Sequence, residues 1–371
     1  MSLPLLGLAR DIVRANLDRC ELPYKVTFVA TYHCNFRCEM CSIWQKKSVG
    51  EMTPAEAARF LRRWPQFSWI QLTGGELFMR RDIEELVAAI LENDRSLYLL
   101  SFPTTGWFGD RAVALVERIL GHGIGRLMTT ISIDGPEALH DSMRGLPGSW
   151  ARAIETLRRL RAVRARNFQV VVGMTLFAKN APFVDETIAA IRRHLPDFER
   201  TSLHLNIGHE SGHYFANRGY LSDARTGPVV DAIRAHRAAV GHSLHPVRFL
   251  EDRYQAGVER YYASGRSALP CSAFGSSCFI DPYWNLFPCS IWNEPAGNLR
   301  DADFDLAALW GSERRRQLRE GIVDEQCPHC WTPCEAHPAI LGNLVRAISL
   351  RPPPAGAPAA GDAVERVRRV S

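Results

Sequence analysis

Lys25-Val-Thr-Phe-Val-Ala-Thr-Tyr32 runs without a break into His33-Cys34-Asn-Phe-Arg-Cys38-Glu-Met-Cys41. The residues up to Tyr32 are β-branched and aromatic enough to read as a buried strand. The thiols that follow, spaced C-x3-C-x2-C, are too close together to be three independent core cysteines. At a strand's end they form a loop that can wrap one face of a metal or a cluster. A cubane [4Fe–4S] cluster normally takes four thiolates, so three protein ligands leave one iron open to a small molecule. A structural zinc closes all four positions, and here would need His33 or a distant cysteine to complete the set.

The spacing, with apolar Met40 just before the last cysteine, resembles the signature of the radical S-adenosylmethionine (radical SAM) superfamily. That resemblance implies Cys34, Cys38 and Cys41 as ligands of a [4Fe–4S] cluster, with S-adenosylmethionine (SAM) on the open iron.

A chain of 371 residues, 46% hydrophobic and 23% charged, can bury a large core and fits one big domain plus a smaller one. The formal charge of +5 comes from arginines spread along the chain, which reads as a solvated surface rather than a nucleic-acid groove. The opening Leu3-Pro-Leu-Leu-Gly-Leu-Ala9 is apolar but short, lacks a basic flank and runs into the amphipathic stretch from Arg10 to Asp18. It is neither a signal peptide nor a membrane span, and is expected to dock on the core as a helix rather than serve as a lid or membrane-surface helix. Ten cysteines without an export signal point to a cytoplasmic protein that uses them for metal or catalysis rather than disulfides. Cys20 stands apart from the others and reads as a small buried hydrophobe.

After the cysteine loop, Thr53-Pro54-Ala-Glu56 starts a helix with Thr as cap, Pro at the first position and Glu three after the cap. Strands are expected at 69–73, 96–102, 127–133, 168–176 and 201–207, alternating with helices at 82–93, 110–120, 149–162 and 183–194. That alternation, about thirty residues per unit, is the spacing of parallel βα repeats. Six units suit a partial (β/α)6 TIM-like barrel, and the resemblance implies the same α/β fold.

Chemistry in parallel barrels sits at the carboxyl ends of the strands. The second strand runs into Gly74-Gly75-Glu76, whose glycines would let backbone approach a ligand closely. By resemblance this turn holds the SAM amino group, with Glu76 supplying the charge. Strand three ends Thr104-Thr105-Gly106, where many relatives have Thr-Asn-Gly, so Thr105 receives no role. Strand four ends Ser132-Ile-Asp134-Gly-Pro136. By resemblance Ser132 and Asp134 lie near the SAM ribose or the substrate, and Arg144 pairs the SAM carboxylate. The other reading of Asp-Gly-Pro is a plain turn. Asn206 and His209, ending the sixth strand, are candidates for the pocket mouth, and a second metal at the nearby histidines is not expected.

Domain boundaries are expected at 1–23 (N-terminal helix), 24–225 (barrel), 226–269 (bridging helices), 270–345 (cysteine-rich module) and 346–371 (disordered tail). The module carries Cys271, Cys278, Cys289, Cys327, Cys330 and Cys334, with Asn285-Leu-Phe-Pro288 leading to Cys289 as a hairpin. It resembles the SPASM and shorter twitch modules that bind auxiliary iron–sulfur clusters. Two full clusters would need eight thiolates and the module has six, so one auxiliary [4Fe–4S] cluster is expected. Cys271, Cys289, Cys327 and Cys330 are its first choice of ligands. Cys278 could join a SPASM-like set, Cys334 could ligate, and either could return a hydrogen atom to the substrate. A structural zinc is the alternative occupant.

The chemistry implied by the resemblance is reductive cleavage of SAM to a 5′-deoxyadenosyl radical that abstracts a substrate hydrogen, fed by an electron donor such as flavodoxin or ferredoxin. The short lead-in before the first strand favours a small molecule, such as a sugar, cyclitol or lipid-like metabolite, undergoing oxidation or epimerisation. A peptide-modifying maturase, which would cross-link or epimerise a ribosomal peptide, is the alternative. A non-catalytic metal-binding protein is the reading from another class, and it would not need Gly74-Gly75-Glu76 and Arg144 beside an open three-cysteine site.

Overall fold

The structure, a computed structural model, describes residues 3–221, 227–241 and 245–352. Helix α1 (Leu3–Asn16) precedes β1 (Lys25–Thr31), α2 (Pro54–Arg63), β2 (Trp69–Gly74), α3 (Ile83–Asn93), β3 (Leu99–Thr104) and α4 (Gly109–Gly121). There follow β4 (Arg126–Ser132), α5 (Glu137–Arg144), α6 (Ser149–Ala162), β5 (Phe168–Leu176), α7 (Val184–His194) and β6 (Leu203–Ile207). Helices α8 (Gly227–Val240) and α9 (Pro246–Ser264) lead to β7 (Ser277–Ile280), β8 (Asn285–Phe287) and β9 (Gly297–Asn298). The described chain closes with α10 (Leu306–Trp310), α11 (Glu313–Val323), α12 (Pro333–Leu341) and α13 (Leu344–Ile348).

The expected six parallel strands are there, in the order β6-β5-β4-β3-β2-β1. The local reasons are those of the sequence: Thr53 accepts from the Glu56 backbone while the Glu56 carboxylate takes the Thr53 N–H, closing a capping box. Helices α10 to α13 and strand β9 were not expected, and two further departures bear on the site. Helix α5 follows Asp134-Gly-Pro136, so the run is more than a turn, and Gly145, left-handed at φ 65°, ends it. Strand β7 pairs in parallel with β1, Lys25 opposite Ser277 and Phe28 opposite Ile280, so the C-terminal module extends the barrel's own sheet. The hairpin expected around Asn285 is the antiparallel pair β7 and β8. Helix α13 carries order past the expected boundary at 346, and the remainder of the expected tail, 353–371, lies outside the described residues.

Side-chain direction divides the barrel into two environments. Leu100, Phe102, Leu127, Ile131, Val172, Met174, Leu203 and Leu205 point outward into one apolar core shared with the helices. Ser101, Thr130, Ser132, Thr175 and Asn206 alternate with these and face the lumen. Their register is continuous: Thr130 lies opposite Val171, Ser132 opposite Gly173 and Thr175 opposite Asn206. Helix α1 docks beneath the strands through buried Asp11, which accepts from Ser68 Oγ at 2.9 Å. Cys20 lies beside it, and burial pushes its thiol up to about 11.

Candidate active site

The cysteine loop is fixed from three sides. From β2, the Gly75 N–H bonds the Thr31 carbonyl at 2.8 Å and the Glu76 N–H bonds the His33 carbonyl at 2.9 Å. A Cβ on Gly75 would lie 2.3 Å from the His33 oxygen and 2.9 Å from Cys34 Cβ, and one on Gly74 would lie 2.2 Å from the Thr31 oxygen. The glycines are therefore required by the close crossing of the turn over the cysteine loop, whereas the sequence suggested approach to a ligand. From α5, the Met143 carbonyl accepts from the Glu39 N–H, and a Cβ on Gly145 would meet the Arg37 oxygen at 2.4 Å. From the segment after β6, the Phe215 carbonyl accepts from the Ser42 N–H, and the Asn217 amide donates to the Met40 carbonyl at 3.0 Å.

Cys34, Cys38 and Cys41 are free thiols and mutual electrostatic neighbours. Burial pushes Cys34 up to about 12 and Cys41 to about 11, and raises Cys38 against the pull of the Arg144 guanidinium beside it. Three thiols held on one short loop are a donor set that a soft metal takes in place of their protons. The donor set fits three irons of a cubane with one left open.

Glu76 is completely buried. Its carboxylate accepts from Thr104 Oγ1 at 2.8 Å, from Thr105 N–H at 2.7 Å and from Thr105 Oγ1 at 2.6 Å. Burial raises its pKa and these donors oppose the rise. Thr105, given no role from sequence, is thus the residue that aims Glu76. Asp134, also fully buried, accepts from Arg144 Nε at 2.6 Å and from the Thr175 N–H at 2.9 Å. Burial opposes the charge on Arg144, and Asp134 and Cys38 hold it in place. Arg144 therefore spans from the Asp134 carboxylate to the cysteine loop. Ser132 ends β4 on the lumen face.

Of the candidates at the end of β6, Asn206 faces the lumen but His209 does not line a mouth. His209 Nδ1 donates to the Ile207 carbonyl at 3.1 Å, and its Nε2 accepts from the Trp331 N–H at 3.0 Å, so the neutral ring bolts the barrel to the C-terminal module. Burial lowers its pKa to about 4. His213 does the same toward the Cys289 carbonyl at 3.0 Å.

Cys271, Cys289, Cys327 and Cys330 gather in one small cluster with Ile291 and Ile322. Burial pushes Cys271 up to about 12, and drives Cys289 and Cys330 well above the ordinary thiol value. Cys278 stands outside this group, packed in the main core from β7. Cys334 also stands outside it: its carbonyl accepts from buried Lys25 Nζ at 2.7 Å, and its thiol lies within hydrogen-bond reach of Gln71. Among the described residues, no three His, Cys, Asp or Glu side chains converge on a point a single metal ion could fill.

The lumen face carries polar side chains beside the apolar Val29, Met128 and Val171. Ser101, Thr130, Ser132, Thr175 and Asn206 are each only partly buried, and none of their side chains has a hydrogen-bond partner among the described residues. Gly173 keeps the space open at its centre, since a Cβ there would meet Thr130 Cγ2 at 2.6 Å.

A family model described as the radical SAM superfamily matches residues 28–188. The AdoMet-dependent heme synthase of Methanosarcina barkeri is 27% identical over 322 residues, which cover 80% of this chain and 85% of that protein. The pre-heme d1 synthase of Dinoroseobacter shibae is 26% identical over 352 residues, covering 86% and 81%. Streptococcus suis SuiB, solved bound to the precursor peptide SuiA, aligns with a TM-score of 0.56 over 85% of this chain and 71% of its own, at 13% identity, a likeness of fold alone. No helix among the described residues is long and apolar enough to cross a membrane.

Proposed function

From the premise that this chain is a radical SAM enzyme, one that uses a [4Fe–4S] cluster and S-adenosylmethionine, we propose that it removes a hydrogen atom from a small, uncharged, hydroxyl-rich molecule held in the barrel lumen. The observation that carries this reading is the set of unpartnered lumen side chains, Ser101, Thr130, Ser132, Thr175 and Asn206. Hydroxyls and an amide left without protein partners on the lumen face suit a sugar or cyclitol, whose own hydroxyls would bond them.

When bound, the cluster and SAM supply the 5′-deoxyadenosyl radical, and the protein supplies position and exclusion of solvent. In this reading Cys34, Cys38 and Cys41 hold the cluster, and the Gly74-Gly75-Glu76 turn fixes its loop. Glu76, steadied by Thr105, faces the SAM amino group, and Arg144 and Asp134 complete the anchoring. Cys271, Cys289, Cys327 and Cys330 hold an auxiliary cluster, an electron sink that favours net oxidation over epimerisation. Cys334, beside Gln71 on the lumen face of β2, is the thiol placed to return a hydrogen atom if the outcome is epimerisation instead.

The names of the full-length relatives favour a second reading, a tetrapyrrole substrate. Such molecules carry carboxylates, which call for free cations. Lys25 is engaged with Thr27 Oγ1 and the Cys334 carbonyl, and Arg144 with Asp134, which weighs against it. A peptide substrate has support from the SuiB fold and from sequence likeness to the sporulation killing factor maturation protein SkfB of Bacillus subtilis, 27% identical over 179 residues, and the unpartnered lumen hydroxyls weigh against it only in favouring a polyol.

The test is an anaerobic assay of reduced, iron-loaded protein with SAM and three substrate pools: neutral polyols, carboxylated tetrapyrroles and short peptides. Substrate-stimulated 5′-deoxyadenosine with loss of two hydrogens from a polyol is expected. Stimulation by tetrapyrroles or peptides alone would overturn the reading.

A further inference from the structure

We propose that α1 and α13 form a docking surface for an anionic lipid bilayer. Of the nine large apolar side chains that stand exposed among the described residues, six are here: Leu3, Leu6, Val13, Leu17, Val345 and Ile348. Leu3 and Val345 are exposed by 85% and 82%. A monomeric surface scatters such groups singly, and their concentration marks an interaction site.

Geometry explains why they remain uncovered. Leu3, Leu6, Arg10, Val13 and Leu17 recur at the spacing of one helix face. The opposite face, through Asp11, is the one spent on the core. The two helices are tied end to end: Asn16 Nδ2 donates to the Leu341 carbonyl at 2.7 Å, and the Leu344 N–H donates to Asn16 Oδ1 at 2.8 Å. The apolar residues of α13 therefore adjoin those at the end of α1.

Charge selects the occupant. Arg14, Arg19, Arg346 and Arg351 belong to the same region, and none has a carboxylate partner among the described residues. Asp18 and Glu21 are the acids nearby in the chain. An apolar stripe rimmed by uncompensated guanidinium groups matches an anionic headgroup layer over acyl chains. A second copy of the surface would set arginine against arginine. Asp11 anchors α1 to Ser68, just before the start of β2, so the surface lies at the floor of the barrel, away from the cysteine loop at the strands' carboxyl ends. Docking there leaves the lumen mouth open to soluble substrate.

The experiment is sedimentation of the full chain with vesicles of phosphatidylcholine alone or mixed equally with phosphatidylglycerol. Two variants are compared, Leu6→Asp/Val13→Asp and Arg14→Glu/Arg346→Glu, each checked for unchanged circular dichroism and SAM cleavage. The expected result is binding to the anionic vesicles that falls roughly tenfold in either variant and in high salt, with weak binding to the neutral ones. No binding at low salt, or binding indifferent to both variants, would overturn the proposal. So would a wild-type dimer that the variants dissolve, which would give the surface to a second copy of the chain.

Discussion

Thr105 holds the Glu76 carboxylate with two donors, its backbone N–H at 2.7 Å and its hydroxyl at 2.6 Å. A buried carboxylate that loses a donor bears the desolvation cost, about 1.5–3 kcal/mol for a bond to a charged group. Thr105→Val is expected to lower unfolding stability by that amount and to raise the SAM concentration needed for half-maximal 5′-deoxyadenosine formation. Thr105→Ser restores both. An unchanged Thr105→Val enzyme would mean that Glu76 needs no aiming.

Gly75→Ala tests the crossing of the turn and the cysteine loop. The added methyl has the His33 carbonyl oxygen 2.3 Å away and Cys34 Cβ 2.9 Å away, and neither is the far end of a flexible side chain that could yield. The variant is expected to lose the iron held by Cys34, Cys38 and Cys41 and with it SAM cleavage, while iron held by the C-terminal cysteines persists. Full iron content and normal cleavage in the variant would show that the loop has slack.

The Arg144 and Asp134 pair is buried enough for removal of one partner to leave an uncompensated charge. Arg144→Gln is expected to destabilise the protein by about 3–5 kcal/mol, and Arg144→Gln/Asp134→Asn to recover a large part of that loss. Additive losses in the double variant would mean that the two side chains act separately.

His209 makes the joint between barrel and module depend on acid. Its pKa in the folded protein is lowered to about 4 by burial, below the value near 6.5 of an exposed ring. A lowered histidine pKa stabilises the fold fully above about 6.5, and that contribution drains away as pH falls toward 4. Over this window His209→Gln is expected to lose less stability than the wild type, by up to about 3 kcal/mol, read as the difference between urea unfolding curves. Parallel curves for the two proteins would remove His209 from the joint.

Much of the fold was legible because local signals agreed with one another. The strand at 168–176 and the helix at 149–162 appear with the bounds their patterning gives, and Thr53 and Glu56 cap as their spacing requires. Helix α5 was hidden because its eight residues bury only His140 and Met143, too short a stripe to show a period, and Asp134-Gly-Pro136 before it reads as a turn. The union of β7 with β1 was hidden for another reason. Ser277–Ile280 is four residues, all buried, and nothing in so short a run says which strand it joins 250 residues back. At the site, cysteine spacing is a local property and could be read directly. The roles of Thr105 and His209 depend on partners 29 and 122 residues away, so the sequence showed a departure from a family pattern in one case and a strand-end histidine in the other.

The most direct measurement is 5′-deoxyadenosine formed on anaerobic reduction with SAM, in the wild type and in Cys34→Ala/Cys38→Ala/Cys41→Ala, with iron counted in both. The account predicts that the wild type forms 5′-deoxyadenosine and the triple variant forms none, and that the variant keeps the iron held by Cys271, Cys289, Cys327 and Cys330. Fully iron-loaded wild-type protein that cleaves no SAM would contradict the chemistry. A triple variant that loses all its iron would contradict the separate auxiliary centre.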